Sequence, residues 1–242
     1  MGFLNSSRYT GGRNQINRQL RCIQPTCTTV KRPQREENLN TFTHAVGIGL
    51  SLIALYLIWS RLGTVEDSLV QFACVGFGLA LICVYTCSTL SHYFTDPPRQ
   101  TIFRQLDQAF IYILIVASYS PFSVVFLRSP WWWSVLGVMW IIALAGFVSK
   151  LFLAHRLQRV SIWLYLLLGW VPAAGGMPFT VELPWGCRLW ILYGGIAYTV
   201  GTYFLFNDKK FWFFHGIWHI FVIAGSACHV WAVLKFVLTE SV

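Results

Sequence analysis

Charge is scarce in this sequence. Charged side chains make up only 11% of the 242 residues, while 56% of the residues are hydrophobic. Soluble globular domains carry about 25% charged residues, so this composition excludes an ordinary soluble globule. The 18 Lys and Arg residues do not indicate a nucleic-acid partner, because most of them lie between apolar stretches. We therefore predict an integral membrane protein whose partners are membrane lipids.

Three other patterns are absent. The seven cysteines are odd in number and scattered mostly through apolar runs, which excludes the disulfide framework of a small secreted domain. The first forty residues hold no apolar core of a cleavable signal peptide, so the first span is expected to act as its own insertion signal. The apolar runs also lack the ten-residue alternation of barrel strands, which leaves helices as the spanning elements. The predicted class is all-α.

Long uncharged segments give the number of spans. Seven segments without Asp, Glu, Lys or Arg hold 19 or more residues each, namely 38–60, 68–95, 108–127, 129–149, 160–181, 189–207 and 211–234. A bilayer core of about 30 Å needs roughly 20 helical residues. We therefore predict a polytopic membrane protein with a seven-transmembrane-helix bundle at 38–242.

Lys and Arg are unequally divided between the two sides of this bundle. Fourteen fall on the side of the N-terminal segment, and four fall on the other side, Arg61, Arg128, Arg188 and Lys235. The positive-inside rule then predicts a cytoplasmic N-terminus and a C-terminus outside. We expect the protein in the cell membrane, either plasma or inner.

A basic segment at 1–37 precedes the first span. We interpret it as a disordered cytoplasmic arm that rests on anionic headgroups. Two other interpretations stay open. The absence of acids before Glu36 is typical of a mitochondrial transit peptide, and residues 1–6 fit the pattern for N-myristoylation.

Polar side chains from four predicted helices fall at one depth near the cytoplasmic face. They are His44 near the start of the first helix, Ser88 and His92 near the end of the second, Asp107 in the first turn of the third, and His215 and His219 at the start of the seventh. Ionisable residues inside a membrane are costly and usually functional. Their common depth therefore predicts a site.

The histidines in this layer have the spacing of metal ligands. His215 and His219 are one helical turn apart and share a face, and His92 would add a third imidazole. Three histidines with an open fourth position are typical of catalytic zinc. An isolated pair at this spacing is common by chance, so the prediction depends on the depth that the pair shares with the other polar residues.

Ser88 and Asp107 are the other polar residues expected beside these histidines. Ser88 lies one turn before His92 and is expected on the same face of the helix. We expect Asp107 to be the only carboxylate that reaches the layer, where it would orient a water or take its proton.

With these residues located, the chain resembles the hemolysin III branch of the progestin and adipoQ receptor family. The likeness runs from about Glu36 to Lys235. It is carried by ordered motifs, EENLNTFTHAVG at 36–47, Ser88-x-x-x-His92, Asp107 with Ile111-Tyr112, and HGIWHIFV at 215–222. Gln108 is a departure, because the family often has His there. His44 matches a family position, but we assign it no ligand role.

The resemblance implies a seven-helix fold, a cytoplasmic N-terminus and a zinc ion held by His92, His215 and His219, with Asp107 and Ser88 holding the zinc-bound water. Ceramidase-like relatives further imply a zinc-dependent hydrolase of lipid amides, with a ceramide-like substrate. An alternative is a receptor or membrane-stress sensor in which the zinc is structural. A pore-forming cytolysin is a weaker hypothesis, because a pore needs a continuous polar lining and the outer halves of these helices hold almost no ionisable residues.

Overall fold

The computed structural model describes residues 33–153, 158–177 and 182–240. Within these ranges lie seven α-helices of 17 or more residues and no β-strand. They are α1 Gln34–Leu62, α2 Ser68–Tyr93, α3 Pro97–Phe126, α4 Pro130–Leu153, α5 Gln158–Ala174, α6 Trp185–Phe206 and α7 Phe214–Ala232. The all-α class is confirmed. The predicted basic arm lies outside the described residues up to position 32.

Six of these helices, α1 to α4, α6 and α7, are long and apolar enough to cross a membrane. The fifth, α5, has 17 residues and an apolar part at Ile162–Ala174. At 1.5 Å per residue it is about 26 Å long, slightly less than a bilayer core of about 30 Å. The chain is therefore a multi-pass helical membrane protein.

The start of α3 differs from the prediction. Asp96 caps this helix, since its Oδ2 accepts a hydrogen bond from the backbone N–H of Arg99 at 3.3 Å, and Pro97 and Pro98 occupy the first two helical positions. Both features favour a helix start. Asp107 consequently lies about 15 Å along α3 rather than in its first turn. The prediction was wrong because it began the helix after the last charged residue.

Charged side chains also lie inside other helices. Helix α1 begins at Gln34, so that Glu36 and Glu37 occupy its first turn and are buried. Lys150 follows the predicted uncharged segment 129–149, but it lies inside α4, near its end, and is buried. Its ammonium donates a hydrogen bond to Gln108 Oε1 at 2.8 Å, which compensates the burial of the charge.

The enclosed centre of the bundle is α3, in which every residue from 116 to 124 is buried. Outer faces carry large exposed apolar side chains, for example Phe72 at 78% and Phe152 at 79%. Apolar surface of this extent suits contact with lipid.

One glycine sets the distance between α6 and α7. A Cβ atom on Gly194 would collide with the buried ring of His229, whereas the neighbouring Gly195 faces open space. Small residues at helix contacts allow close approach in membranes. Gly194 is therefore part of the architecture that brings α7 against its neighbour.

Polar contacts hold the end of the bundle farthest from His92. Arg128 Nη2 donates to Asp67 Oδ2 at 2.7 Å, and this guanidinium holds the pKa of the Asp67 carboxyl below its ordinary value. Arg61 Nη1 donates to the backbone oxygen of Leu234 at 2.7 Å. The first contact ties the start of α2 to the residues after α3, and the second ties α1 to the π-helical segment Val233–Val237 that continues α7.

Candidate metal centre

Three histidines meet at one end of the bundle. His92 lies in the last turn of α2, and His215 and His219 lie in the first two turns of α7. One ligand atom from each side chain lies within 4.8 Å of the other two. The ring centroids are 4.6 to 5.3 Å apart. This cluster, which the sequence predicted, could hold a metal ion.

Glu37 of α1 orients the first histidine. Its Oε2 lies 2.6 Å from His92 Nδ1, and both side chains are buried. The second carboxylate oxygen accepts a hydrogen bond from Arg104 Nη2 at 3.5 Å. A carboxylate accepts hydrogen bonds only, so Nδ1 of His92 carries the hydrogen of this contact. The ligand atom that His92 offers a metal is then Nε2.

Thr43 of α1 orients the second histidine. Its hydroxyl hydrogen is donated to the backbone oxygen of Asn40 at 2.9 Å. The same Oγ1 lies 2.9 Å from His219 Nδ1. Because a hydroxyl has a single hydrogen, Nδ1 of His219 is the donor of this contact when the Thr43 hydrogen is given to the Asn40 oxygen. His219 therefore also offers Nε2.

Asp208 stands beside the third histidine. Its Oδ2 lies 3.5 Å from His215 Nδ1, an ion-pair distance, and both side chains are largely buried. Ligand histidines commonly direct their second ring nitrogen to a carboxylate or hydroxyl, which fixes the tautomer and the ring orientation. His92 and His219 follow this arrangement at hydrogen-bond distance, and His215 has a carboxylate at ion-pair distance, so the residues present fit a zinc ion bound through nitrogen.

Glu37 and Asp208 show that one prediction was wrong, since Asp107 is not the only carboxylate that reaches this layer. The prediction treated charged residues as boundaries of the spans, and it therefore left both acids out of the site. A signal was available at Glu37. Glu37, Asn40 and His44 have the i, i+3, i+7 spacing of one helix face.

Ser88 and Asp107 form a hydrogen-bonded pair about one helical turn from His92. Ser88 Oγ donates a hydrogen bond to Asp107 Oδ2 at 3.2 Å. Ser88 is buried and lies one turn before His92 on α2. The structure thus brings together the two residues for which the sequence predicted catalytic roles.

Known proteins are similar in sequence to this chain over most of its length. The profile of the family described as "Haemolysin-III related" matches residues 33–230. Hemolysin-3 of Bacillus cereus is 35% identical over 207 residues, which cover 84% of this chain and 93% of that protein. The Hemolysin-3 homolog of Bacillus subtilis (strain 168) is 34% identical over 205 residues, covering 84% of this chain and 94% of the relative.

A more distant relative is the monocyte to macrophage differentiation factor of Homo sapiens, which is 25% identical over 229 residues, or 93% of this chain and 94% of the relative. Fold and site define a helical membrane protein with a three-histidine cluster, two of whose members are buried. The chain belongs to the haemolysin-III-related family. This membership confirms the resemblance that the sequence motifs indicated.

The contact between Glu37 and His92 predicts a change in metal affinity. In Glu37→Gln the charge is lost while the side-chain volume is kept, so His92 is held less firmly and is a weaker ligand. We expect zinc affinity to fall about 10- to 100-fold, measured by competition with a chelator on purified protein. The matched control is Glu66→Gln, an exposed acid at the other end of the bundle, with wild-type affinity expected. Wild-type affinity in Glu37→Gln would contradict this role.

Proposed function

We propose that the protein holds zinc through His92, His215 and His219 and hydrolyses lipid amides of the ceramide class. One observation carries this proposal. His92 and His219 are buried and His215 is mostly buried, and their Nδ1 atoms lie beside Glu37, Thr43 and Asp208. The Ser88–Asp107 pair lies one helical turn away. Zinc, when bound at such a site, activates water and polarises a carbonyl group.

Asp107 is the proposed general base. The hydrogen bond from Ser88 holds one carboxylate oxygen, which fixes the orientation of the other. Asp107 accepts a proton from the water that adds to the amide carbonyl carbon. The same proton then passes to the nitrogen as the C–N bond breaks, which releases a fatty acid and an amine.

The position of the site favours a lipid as the substrate. Asp107 lies about 15 Å along α3, and the three histidines belong to helices that are long and apolar enough to span. A substrate that already resides in the bilayer reaches this depth from the side, with its acyl chain among the apolar helix faces. We therefore propose that membrane lipids are the partners of the protein.

For the topology we propose seven spans, with α5 as the fifth span. The uncharged run 160–181 is 22 residues long, which exceeds the helical part of α5 and is enough to cross a bilayer. An odd number of spans places the two termini on opposite sides. The excess of Lys and Arg on the side of the N-terminus supports a cytoplasmic N-terminus. The proposed location of the protein is the cell membrane.

Reporter fusions test this topology. Alkaline phosphatase fused after Val242 is expected to be active in a bacterial host, because the C-terminus lies outside the cytoplasm. The same enzyme fused after Lys210, between α6 and α7, is expected to be inactive. Equal activity of both fusions would contradict the proposed orientation of α7.

A second candidate function follows from the same three histidines. They join α2 to α7, two helices far apart in the sequence, so a metal there would also link them mechanically. In that case the zinc is structural and the protein is a receptor or membrane-stress sensor.

Asp107→Ala separates the two candidates. Loss of the base is expected to lower the release of fatty acid from a fluorescent ceramide by at least about 100-fold. Zinc content, measured by elemental analysis, is expected to stay near that of the wild type, because Asp107 is not a proposed ligand. Glu66→Ala is the control and keeps both properties. Unchanged turnover in Asp107→Ala would contradict the role of the base, and a zinc-loaded wild type without turnover would favour the structural alternative.

A further inference from the structure

Two buried polar side chains of α1 have unpaired atoms. Asn40 is 0% exposed, and neither its Nδ2 nor its Oδ1 has a hydrogen-bond partner among the described residues. His44 is 3% exposed, and its Nδ1 likewise finds no partner within the described part of the chain. Buried polar atoms are nearly always paired in native proteins, and unpaired ones destabilise the fold. Three such atoms on one helix face need an explanation.

These side chains lie against the part of α7 that carries two of the histidines. Asn40 and His44 are one turn apart on α1. A Cβ atom on Gly216 would be 3.6 Å from Asn40 Oδ1. The ring centroid of His44 is 3.7 Å from that of His219. The unpaired atoms thus lie beside the candidate metal centre.

The contacts that orient the three histidines do not involve the unpaired atoms of Asn40 and His44. Glu37, Thr43 and Asp208 contact the Nδ1 atoms of the three rings. Asn40 takes part only through its backbone oxygen, which accepts from Thr43. The carboxamide of Asn40 and the Nδ1 atom of His44 are therefore available to a bound molecule.

The carboxamide of Asn40 specifies the chemistry of that molecule. Nδ2 needs an acceptor and Oδ1 needs a donor, and both atoms belong to one planar group. An anion such as phosphate would pair only with the donor. A neutral amide carries an N–H next to oxygen acceptors and pairs with both atoms.

We propose that Asn40 and His44 form a subsite that recognises the amide group of a membrane lipid beside the metal centre. Asn40 Oδ1 accepts the amide N–H, and Asn40 Nδ2 donates to an adjacent oxygen of the same headgroup. His44 Nδ1 pairs with a further polar atom of that headgroup. This inference rests on the proposed function, and it identifies the residues that select an amide over an ester.

The subsite predicts opposite effects on stability and binding. Leucine resembles asparagine in shape but has no polar atoms, so Asn40→Leu removes two unpaired groups from the ligand-free fold. We expect a melting temperature equal to or above that of the wild type, since binding residues are often kept at a cost in stability. A residue that served only the fold would lower the melting temperature when replaced.

Binding of two matched probes tests the proposal. The full-length protein in phosphatidylcholine nanodiscs is titrated with a fluorescent N-acylsphingosine and with its analogue in which an ester replaces the amide. Binding of both probes is measured in variants that also carry Asp107→Ala, so that the amide probe is not hydrolysed. Asn40→Leu is expected to weaken binding of the amide probe about tenfold and to change binding of the ester probe little. Asn38→Leu, the same substitution at an exposed position two residues away, is the control with wild-type binding.

His44→Phe is a second variant that keeps an aromatic ring against His219 and removes Nδ1. We expect it to weaken binding of the amide probe several-fold with the zinc content unchanged. If Asn40→Leu does not fold, this variant carries the test, and wild-type binding in it would overturn the proposal.

The outcomes separate this proposal from the hydrolase. If Asn40→Leu weakens binding of the amide probe but the protein with Asp107 intact releases no fatty acid, the result supports the subsite and contradicts the hydrolase. If the wild-type protein releases fatty acid but Asn40→Leu does not change the binding of either probe in the Asp107→Ala background, the subsite is overturned and the hydrolase is not. A lower melting temperature of Asn40→Leu with unchanged binding also overturns it, since Asn40 would then serve the fold.

Discussion

The site depends on the polar side chains that lie against the Nδ1 atoms of three clustered histidines. Glu37 and Thr43 of α1 contact His92 and His219, and Asp208, before α7, lies beside His215. In the proposed site, these contacts leave Nε2 of His92 and of His219 as the atoms that would bind a metal. They also require α1, α2 and α7 to meet at one end of the bundle. Polar contacts at the opposite end and the close approach at Gly194 complete that arrangement.

Helix α1 contributes more to the site than its sequence indicates. Successive turns of this helix present Glu37, Asn40, Thr43 and His44 to the helices that carry the metal ligands. Two of these residues orient histidines, and two have side-chain atoms that remain unpaired within the described structure. In the account proposed here, the orientation of two metal ligands and the selection of the substrate are thus divided among residues of one helix. In the proposed mechanism, Asp107 of α3 transfers the proton and Ser88 of α2 holds its carboxylate.

Sequence patterns located the parts of the fold that follow from apolar length and helical spacing. The uncharged runs correspond to the observed helices, and the one-turn spacing of His215 and His219 placed them on one face with His92 opposite. The patterns failed where a buried charge is compensated by a partner that is distant in sequence. Glu37 pairs with His92, and Lys150 with Gln108, so both lie inside helices that a charge-free criterion cuts short. Pairings of this kind depend on how the helices pack, which spacing along one helix does not specify.

The most direct test of this account is the zinc content of the purified protein beside that of the His215→Ala, His219→Ala double variant, with helical content checked in both by circular dichroism. The account predicts about one zinc ion per wild-type chain and far less in the variant. A folded wild type that retains no zinc after purification in zinc-supplemented buffer would contradict the metal centre. The polar layer would then be a hydrogen-bonded network between helices.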